Sequence, residues 1–249
     1  MSVPIRRFAD GNTDRMEIEG SRVLVAGATG GLGRRISRAL SDEGARLMLA
    51  GRDEESLEAL ASELDVSHTA TFDAMDTEGC AALTSHAARE LGGLDALVIA
   101  FGTVAFGPEA DVEDSVAEHM FQINTLAPIA MLRAAESELE QGGTVAAITA
   151  VTAEYPTAGM ATYSASKAAL SAWLQAMRAE YRRKHVHVLD IRAPHMDTGL
   201  AHRALAGTAP RNLPEPFPID EFVQALVEAL RSQAEHLAFD PRTRRLGKG

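Results

Sequence analysis

Val23-Leu24-Val25-Ala26 runs directly into Gly27-Ala28-Thr29-Gly30-Gly31-Leu32-Gly33, and an amphipathic stretch follows. Four apolar residues ending in a glycine cluster read as a buried strand, a tight turn and the start of a helix. Glycines at such a place let the backbone fold back sharply. They also let a pyrophosphate approach the helix N-terminus, where free N–H groups and the helix dipole favour an anion. The spacing is not Gly-x-Gly-x-x-Gly; it is Gly27-x-x-x-Gly31-x-Gly33, and equally Gly27-x-x-Gly30-x-x-Gly33. A glycine cluster alone is a flexible turn. Between a first strand and a first helix it reads as a dinucleotide cradle, with Gly27, Thr29, Gly30, Gly31, Leu32 and Gly33 as candidate members.

Outward from that turn, β-rich runs alternate with helical patterns. The runs are 22–26, 46–50, 68–72, 96–100, 144–149, 186–191 and a weaker 236–239. Between them Leu57, Leu60, Ala61 and Leu64 recur at helical spacing, as do Phe222, Ala225, Leu226, Ala229 and Leu230. Strand, helix, strand at this pitch predicts βαβ units: a Rossmann-like, doubly wound parallel sheet of about seven strands in a three-layer α/β/α domain. Residues 17–249 form one domain on this reading, and residues 1–16, charged and without an apolar core, a loose arm rather than a signal peptide. Four prolines between Ala206 and Pro218 predict a loop or lid over the carboxyl edge of the sheet.

Composition narrows the function. The chain has 249 residues, 46% of them apolar, and a formal net charge of −11. Such an acidic surface repels phosphate backbones, so nucleic acid is not expected as a partner. The single cysteine, Cys80, allows no internal disulfide and suits a reducing, cytoplasmic setting. No apolar run is long enough to span a membrane. His185-x-His187 lacks further ligands at metal spacing and reads as strand packing. Neither a Gly-x-Ser-x-Gly elbow nor a Walker-type loop is present.

Two further patterns carry chemistry. The second strand ends Leu49-Ala50-Gly51-Arg52-Asp53. An acid at that tip would hold a ribose 2′-hydroxyl. Glycine followed by Arg52 favours a 2′-phosphate, hence NADP over NAD, with Asp53 nearby keeping NAD open. Farther on, Tyr163-Ser164-Ala165-Ser166-Lys167 opens a helix and puts a phenol and an ammonium on one face. A cation beside a phenol lowers its pKa, which would make Tyr163 a proton donor and acceptor near neutrality.

With these residues in place the chain resembles the short-chain dehydrogenase/reductase family over about Met16 to Phe239. The resemblance implies a sheet ordered 3-2-1-4-5-6-7 and hydride transfer between NAD(P) and a small-molecule carbonyl or alcohol. It implies Tyr163 as general acid/base, and Lys167 as the group that tunes it and holds the nicotinamide ribose. It further implies that Asn124, in Phe121-Gln122-Ile123-Asn124-Thr125, supports a water relay. Asp73 and Ala74 would lie at the adenine pocket, Ala100 and Gly102 along the cofactor, and Thr198 at the carboxamide. Relatives pair two long helices, here about 116–139 and 163–183, so a homodimer or homotetramer is expected.

The chain departs from the family pattern in three places. The serine thirteen residues before the tyrosine is Ala150, in Thr149-Ala150-Val151-Thr152; Thr149 is the candidate replacement, with Thr152 as another. The Asn-Asn-Ala-Gly motif reads Ile99-Ala100-Phe101-Gly102, and the Pro-Gly before the threonine reads Ala193-Pro194, followed by His195. These departures motivate an alternative: a degenerate member that binds NAD(P) as a sensor or interaction protein with little dehydrogenase activity. An epimerase of the extended branch is disfavoured, since those enzymes need a larger C-terminal substrate domain.

Overall fold

The computed structural model describes residues 15–249. Most of the expected N-terminal arm therefore lies outside the described residues. Its last residue belongs to the body: Met16 is buried, and its N–H donates to the Arg231 carbonyl at 2.8 Å.

In chain order the elements are β1 (Arg22–Ala26), α1 (Gly31–Asp42), β2 (Arg46–Gly51), α2 (Glu54–Leu64), β3 (His68–Thr71), α3 (Thr77–Leu91) and β4 (Leu94–Ile99). Then come α4 (Asp114–Phe121), α5 (Ala127–Glu138), β5 (Leu139–Ile148), α6 (Ala161–Arg182), β6 (His187–Arg192), α7 (Ile219–Arg231), β7 (His236–Asp240) and β8 (Arg245–Lys248). The sheet order is β3-β2-β1-β4-β5-β6-β7-β8. β3 through β7 pair in parallel, and β8 closes the edge antiparallel to β7. This eighth strand lies beyond the seven expected. Its four residues are mostly exposed and carry Arg245 and Lys248, so they lack the apolar run that marks the others.

Alternation along the strands sorts the core into two layers. Val23, Val25, Leu47, Leu49, Leu189 and Ile191 pack on the side of α1, α2 and α7. Leu24, Met48, Leu97, Val145, Ala147 and Val188 pack on the side of α3, α5 and α6. Each helix meets the sheet through one stripe; α1 buries Leu32, Ile36 and Leu40. All seven parallel strands thus point their carboxyl ends to one edge, and the order in which strands are added reverses between β1 and β4. In open α/β sheets ligands bind at such a switch point.

Two expectations are corrected. The helix expected over 116–139 is interrupted: after α4 the segment Gln122–Leu126 is a π-turn, and Leu139 already belongs to β5. His185 and His187 do not share a strand face, because His185 sits in the turn before β6 with φ at +55°.

Candidate active site

The glycine turn stands at the carboxyl end of β1. Gly27 has φ at +89°, a conformation that L side chains rarely adopt, and a Cβ there would lie 2.8 Å from the Phe101 nitrogen. A Cβ on Gly33 would run into the Gly27 carbonyl, so α1 can only pack this close to the turn with glycine there. Gly31 faces the Thr198 carbonyl with no room for a methyl group. The N-cap, Gly30, offers no side-chain acceptor, and no acidic residue stands in the first turn of α1. Among the described residues no carboxylate or hydroxyl caps the N-terminal N–H groups of α1. The cradle and its uncapped donors fit an anionic pyrophosphate.

Beside it lies the tip of β2. Asp53 is occupied: its side chain accepts from the Ser56 N–H at 2.8 Å and caps α2. Arg52 is exposed and makes no hydrogen bond or ion pair among the described residues. Thr29 borders Gly51 through its hydroxyl. The side chain at this tip that is free to meet a charged group is thus the cation.

At the next strand tip Asp73 is exposed, and its carboxylate accepts from the Met75 N–H at 2.8 Å, closing a local turn. Ala74 is buried, and its carbonyl accepts from the Gln122 amide at 3.0 Å. Phe72 and Phe101 meet edge to face, centroids 5.2 Å apart, bridging the ends of β3 and β4. The sequence does not mark this aromatic pair, because the two residues stand in separate runs.

The proton-handling groups come from α6 and the π-turn. Tyr163 and Lys167 are both buried on the first turns of α6. Lys167 Nζ donates to the Ile148 carbonyl at 2.9 Å, and it borders Gly102 together with the Asn124 side chain. Asn124 is fully buried. Its Oδ1 accepts from the Thr103 N–H at 2.8 Å, and its Nδ2 donates to the Thr103 carbonyl at 2.9 Å and to Ser166 Oγ at 3.0 Å. Ser166 in turn donates to the Tyr163 carbonyl. The asparagine thereby ties the loop after β4 to the helix that carries the tyrosine.

Tyr163, Lys167, Asn124 and Gly102 are therefore brought to one place. Burial pushes the Tyr163 hydroxyl up to about 12, and it pushes Lys167 down to about 8. The lowered tyrosine expected from a neighbouring ammonium is not what the protein's own groups produce. Loss of water is the cause.

Thr149 takes another role than the missing serine's. Its one hydroxyl proton is directed to Asp190 Oδ1 at 2.5 Å, with the Ile191 carbonyl at 3.3 Å, so it has none left for a substrate oxygen. Ala150 packs its methyl group in a cluster with Tyr163, Val104, Phe106 and Met120. The Thr152 hydroxyl is buried with no hydrogen-bond partner among the described residues.

Of the loop expected from Ala206 to Pro218, Ala206 and Ala209 pack against this cluster, and so do Leu200, Ala201 and Ala204 just before it. The Leu205 N–H donates to the Val104 carbonyl at 2.8 Å, and the Phe106 N–H to the Ala206 carbonyl at 3.0 Å. The Phe217 N–H anchors the end of the segment on the His195 carbonyl at 2.8 Å. Burial lowers the pKa of His195, which sits beneath that anchor. Among the described residues no helix is long and apolar enough to cross a membrane, and no group of metal-ligating side chains is found.

A family model described as short chain dehydrogenase matches residues 21–208. Dehydrogenase/reductase SDR family member 7B of Bos taurus is 30% identical over 203 residues, covering 77% of this chain and 62% of that protein. The chain thus spans somewhat under two thirds of the length of that relative. Among solved structures, a short-chain oxidoreductase from Thermus thermophilus is 32% identical with a TM-score of 0.71, covering 84% of this chain and 95% of that one. A short chain dehydrogenase from Burkholderia cenocepacia, solved in complex with NADP, shares the fold with a TM-score of 0.78 at 22% identity, covering 87% and 92%. Glycine cradle, π-turn asparagine, tyrosine–lysine pair and matched family model converge: the chain belongs to the short chain dehydrogenase family.

Proposed function

We propose that the protein is an NADP(H)-dependent oxidoreductase that transfers hydride between the nicotinamide and a carbonyl or alcohol, with Tyr163 as general acid/base. The observation that carries this reading is the joint burial of Tyr163, Lys167 and Asn124 at the carboxyl edge of the sheet, next to the glycine cradle.

The cofactor, when bound, supplies or takes up the hydride. The protein's own residues handle the proton. In reduction the Tyr163 hydroxyl gives its proton to the substrate oxygen as that oxygen becomes an alcohol, and in oxidation it takes the proton back. Lys167 has three N–H donors. One serves the Ile148 carbonyl, which leaves two for the ribose hydroxyls and for a water. Pro128 has no N–H to give the Asn124 carbonyl four residues before it, and that carbonyl would accept from the same water. Gly27, Thr29, Gly30, Gly31, Leu32 and Gly33 would hold the pyrophosphate, and Arg52 the 2′-phosphate. Asp73, Ala74, Ala100, Gly102 and Thr198 would line the rest. The substrate end is walled by Val104, Phe106, Met120, Met160 and Leu200, which favours an apolar carbonyl compound. A cytoplasmic homodimer or homotetramer accords with the single buried cysteine and the family.

The test is NADPH oxidation with a panel of apolar ketones and aldehydes. Turnover that drops by about 10²–10⁴ in Tyr163→Phe supports the reading. No turnover above that variant with any substrate overturns it.

The alternative rests on one observation. Where a hydroxyl would bind the reacting oxygen, Ala150 presents a methyl group in an apolar cluster, and Thr149 is engaged elsewhere. A binder with little activity would show NADPH affinity without turnover.

A further inference from the structure

Behind the tyrosine–lysine pair lies a second polar cluster. Asp190, on β6, is 1% exposed. Its Oδ1 accepts from Thr149 Oγ1 at 2.5 Å, and its Oδ2 accepts from Ser171 Oγ at 2.6 Å and from Arg192 Nε at 3.0 Å. Two positions after Val188, it shares that residue's face of the sheet and lies under α6.

The cluster reaches Lys167 along two routes. Tyr163, Lys167 and Ser171 follow one another at intervals of four, so they form a single stripe along α6. On the sheet, Lys167 Nζ sits on the Ile148 carbonyl, and the next residue, Thr149, is a donor to Asp190. The carboxylate is therefore one helical turn and one strand residue away from the ammonium.

A buried carboxylate is expensive, and apolar residues of similar volume commonly serve stability as well or better. Arg192 does not require it, since it also pairs with Glu154 at 3.0 Å. The charged or titratable groups of the pair and this cluster are Tyr163 and Arg178 on α6, Asp190 and Arg192 on β6, and Glu154 after β5. Of these, Asp190 is the one whose charge acts on Lys167 to oppose burial.

We propose that Asp190 is a positioning residue for the tyrosine–lysine pair, a built-in counter-charge that holds Lys167 in its ammonium form. The inference rests on Lys167 being the partner of Tyr163, but it concerns the lysine itself.

Its test needs no substrate. The chain has three lysines, Lys167, Lys184 and Lys248. With ¹³C-labelled lysine the Cε resonances can be followed against pH in the full-length protein, Lys167 being assigned from Lys167→Arg. In Asp190→Asn the Lys167 midpoint is expected to move down by about 1 pH unit or more. No movement, or movement upward, overturns the proposal. Should Asp190→Asn not fold, the double variant Asp190→Asn/Arg192→Gln, which removes the carboxylate together with its partner cation, carries the test. Loss of the cation can only raise the midpoint, so a downward shift supports the proposal, and no shift or an upward one overturns it. The midpoint can move in a protein that turns nothing over, and it can stay fixed in an active enzyme. Failure here is thus separable from failure of the proposed reaction.

Discussion

At Lys167 water exclusion and a buried counter-charge oppose each other, and exclusion is the larger. The consequence is a stability that depends on pH. The unfolded lysine titrates near its ordinary 10.5 and the folded one near 8. Between those values the unfolded chain binds the more protons, so stability rises with pH through that window. Below it the charged, buried lysine is a constant burden. Lys167→Met removes the titration. The urea midpoint of the native protein, relative to this variant, is expected to climb between pH 8 and 10 by about 1–2 kcal/mol equivalent; a flat difference would show the lysine to be solvated. Tyr163 does not disturb that window, because its raised value makes it act only above its ordinary 10. Ala150 gives a second residue-scale prediction. Ala150→Ser places a hydroxyl in the Tyr163 cluster, and kcat is expected to rise by up to about 10²-fold, the scale of one oxyanion donor. Unchanged steady-state kinetics would mean that another donor already serves. Tyr163 and Lys167 were legible because helical spacing alone puts them on one face. The engagement of Thr149 was not, because its partner Asp190 lies forty-one residues on and only the β5–β6 register brings them together.

The same distinction holds at the level of elements. β1, the glycine turn and α1 were readable from one continuous stretch, since a buried strand, a reversal and an amphipathic helix each leave a local mark. The mark of the π-turn was present as well, in Asn124 and Pro128 four residues apart, but the surrounding apolar pattern runs through it without a break. A proline inside a helical pattern removes one N–H and leaves one carbonyl open. π-turns inside helices gather at functional sites, and here the turn directs Asn124 inward to Thr103 and Ser166. Pro128→Ala restores the donor. Thermal stability is expected to hold or increase while kcat falls about 10-fold or more, the scale on which small misplacements act. Equal turnover would remove the Asn124 carbonyl from the mechanism. Gly33→Ala tests the other end of the site. Its methyl group would meet the Gly27 carbonyl, a backbone atom that cannot rotate away. A loss of about 1–3 kcal/mol in chemical denaturation is expected, together with weaker NADPH binding because the cradle must open to relieve the contact.

For the whole molecule, the parallel order from β3 to β7 followed from alternating strand and helix patterns, whereas β8 did not, being short and polar and joined to the sheet through β7. The prolines between Ala206 and Pro218 marked a segment outside the regular elements. What holds its start was not legible, because the bonds between Leu205 and Val104 and between Phe106 and Ala206 are backbone bonds that side-chain identity does not announce. At the carboxyl edge of the sheet Arg52, a cation with no ion pair among the described residues, stands beside a helix N-terminus that has no side-chain cap. The rest of the molecule carries net negative charge, so a phosphate is welcomed only where such local features outweigh the general field. A ligand that binds the folded state alone stabilises it by mass action, by about 2.7 kcal/mol at a hundredfold excess over its dissociation constant. In a domain of this size that is a rise of about 5–10 °C in Tm. NADPH is expected to produce such a rise at concentrations where NADH produces much less, since the two differ only by the phosphate that Arg52 would meet. Arg52→Ala should bring the two curves together by lowering the NADPH response while leaving that to NADH in place. Equal responses in the unaltered protein would assign Arg52 to the solvated surface and return the choice of coenzyme to Asp53, which would then have to leave its cap on Ser56.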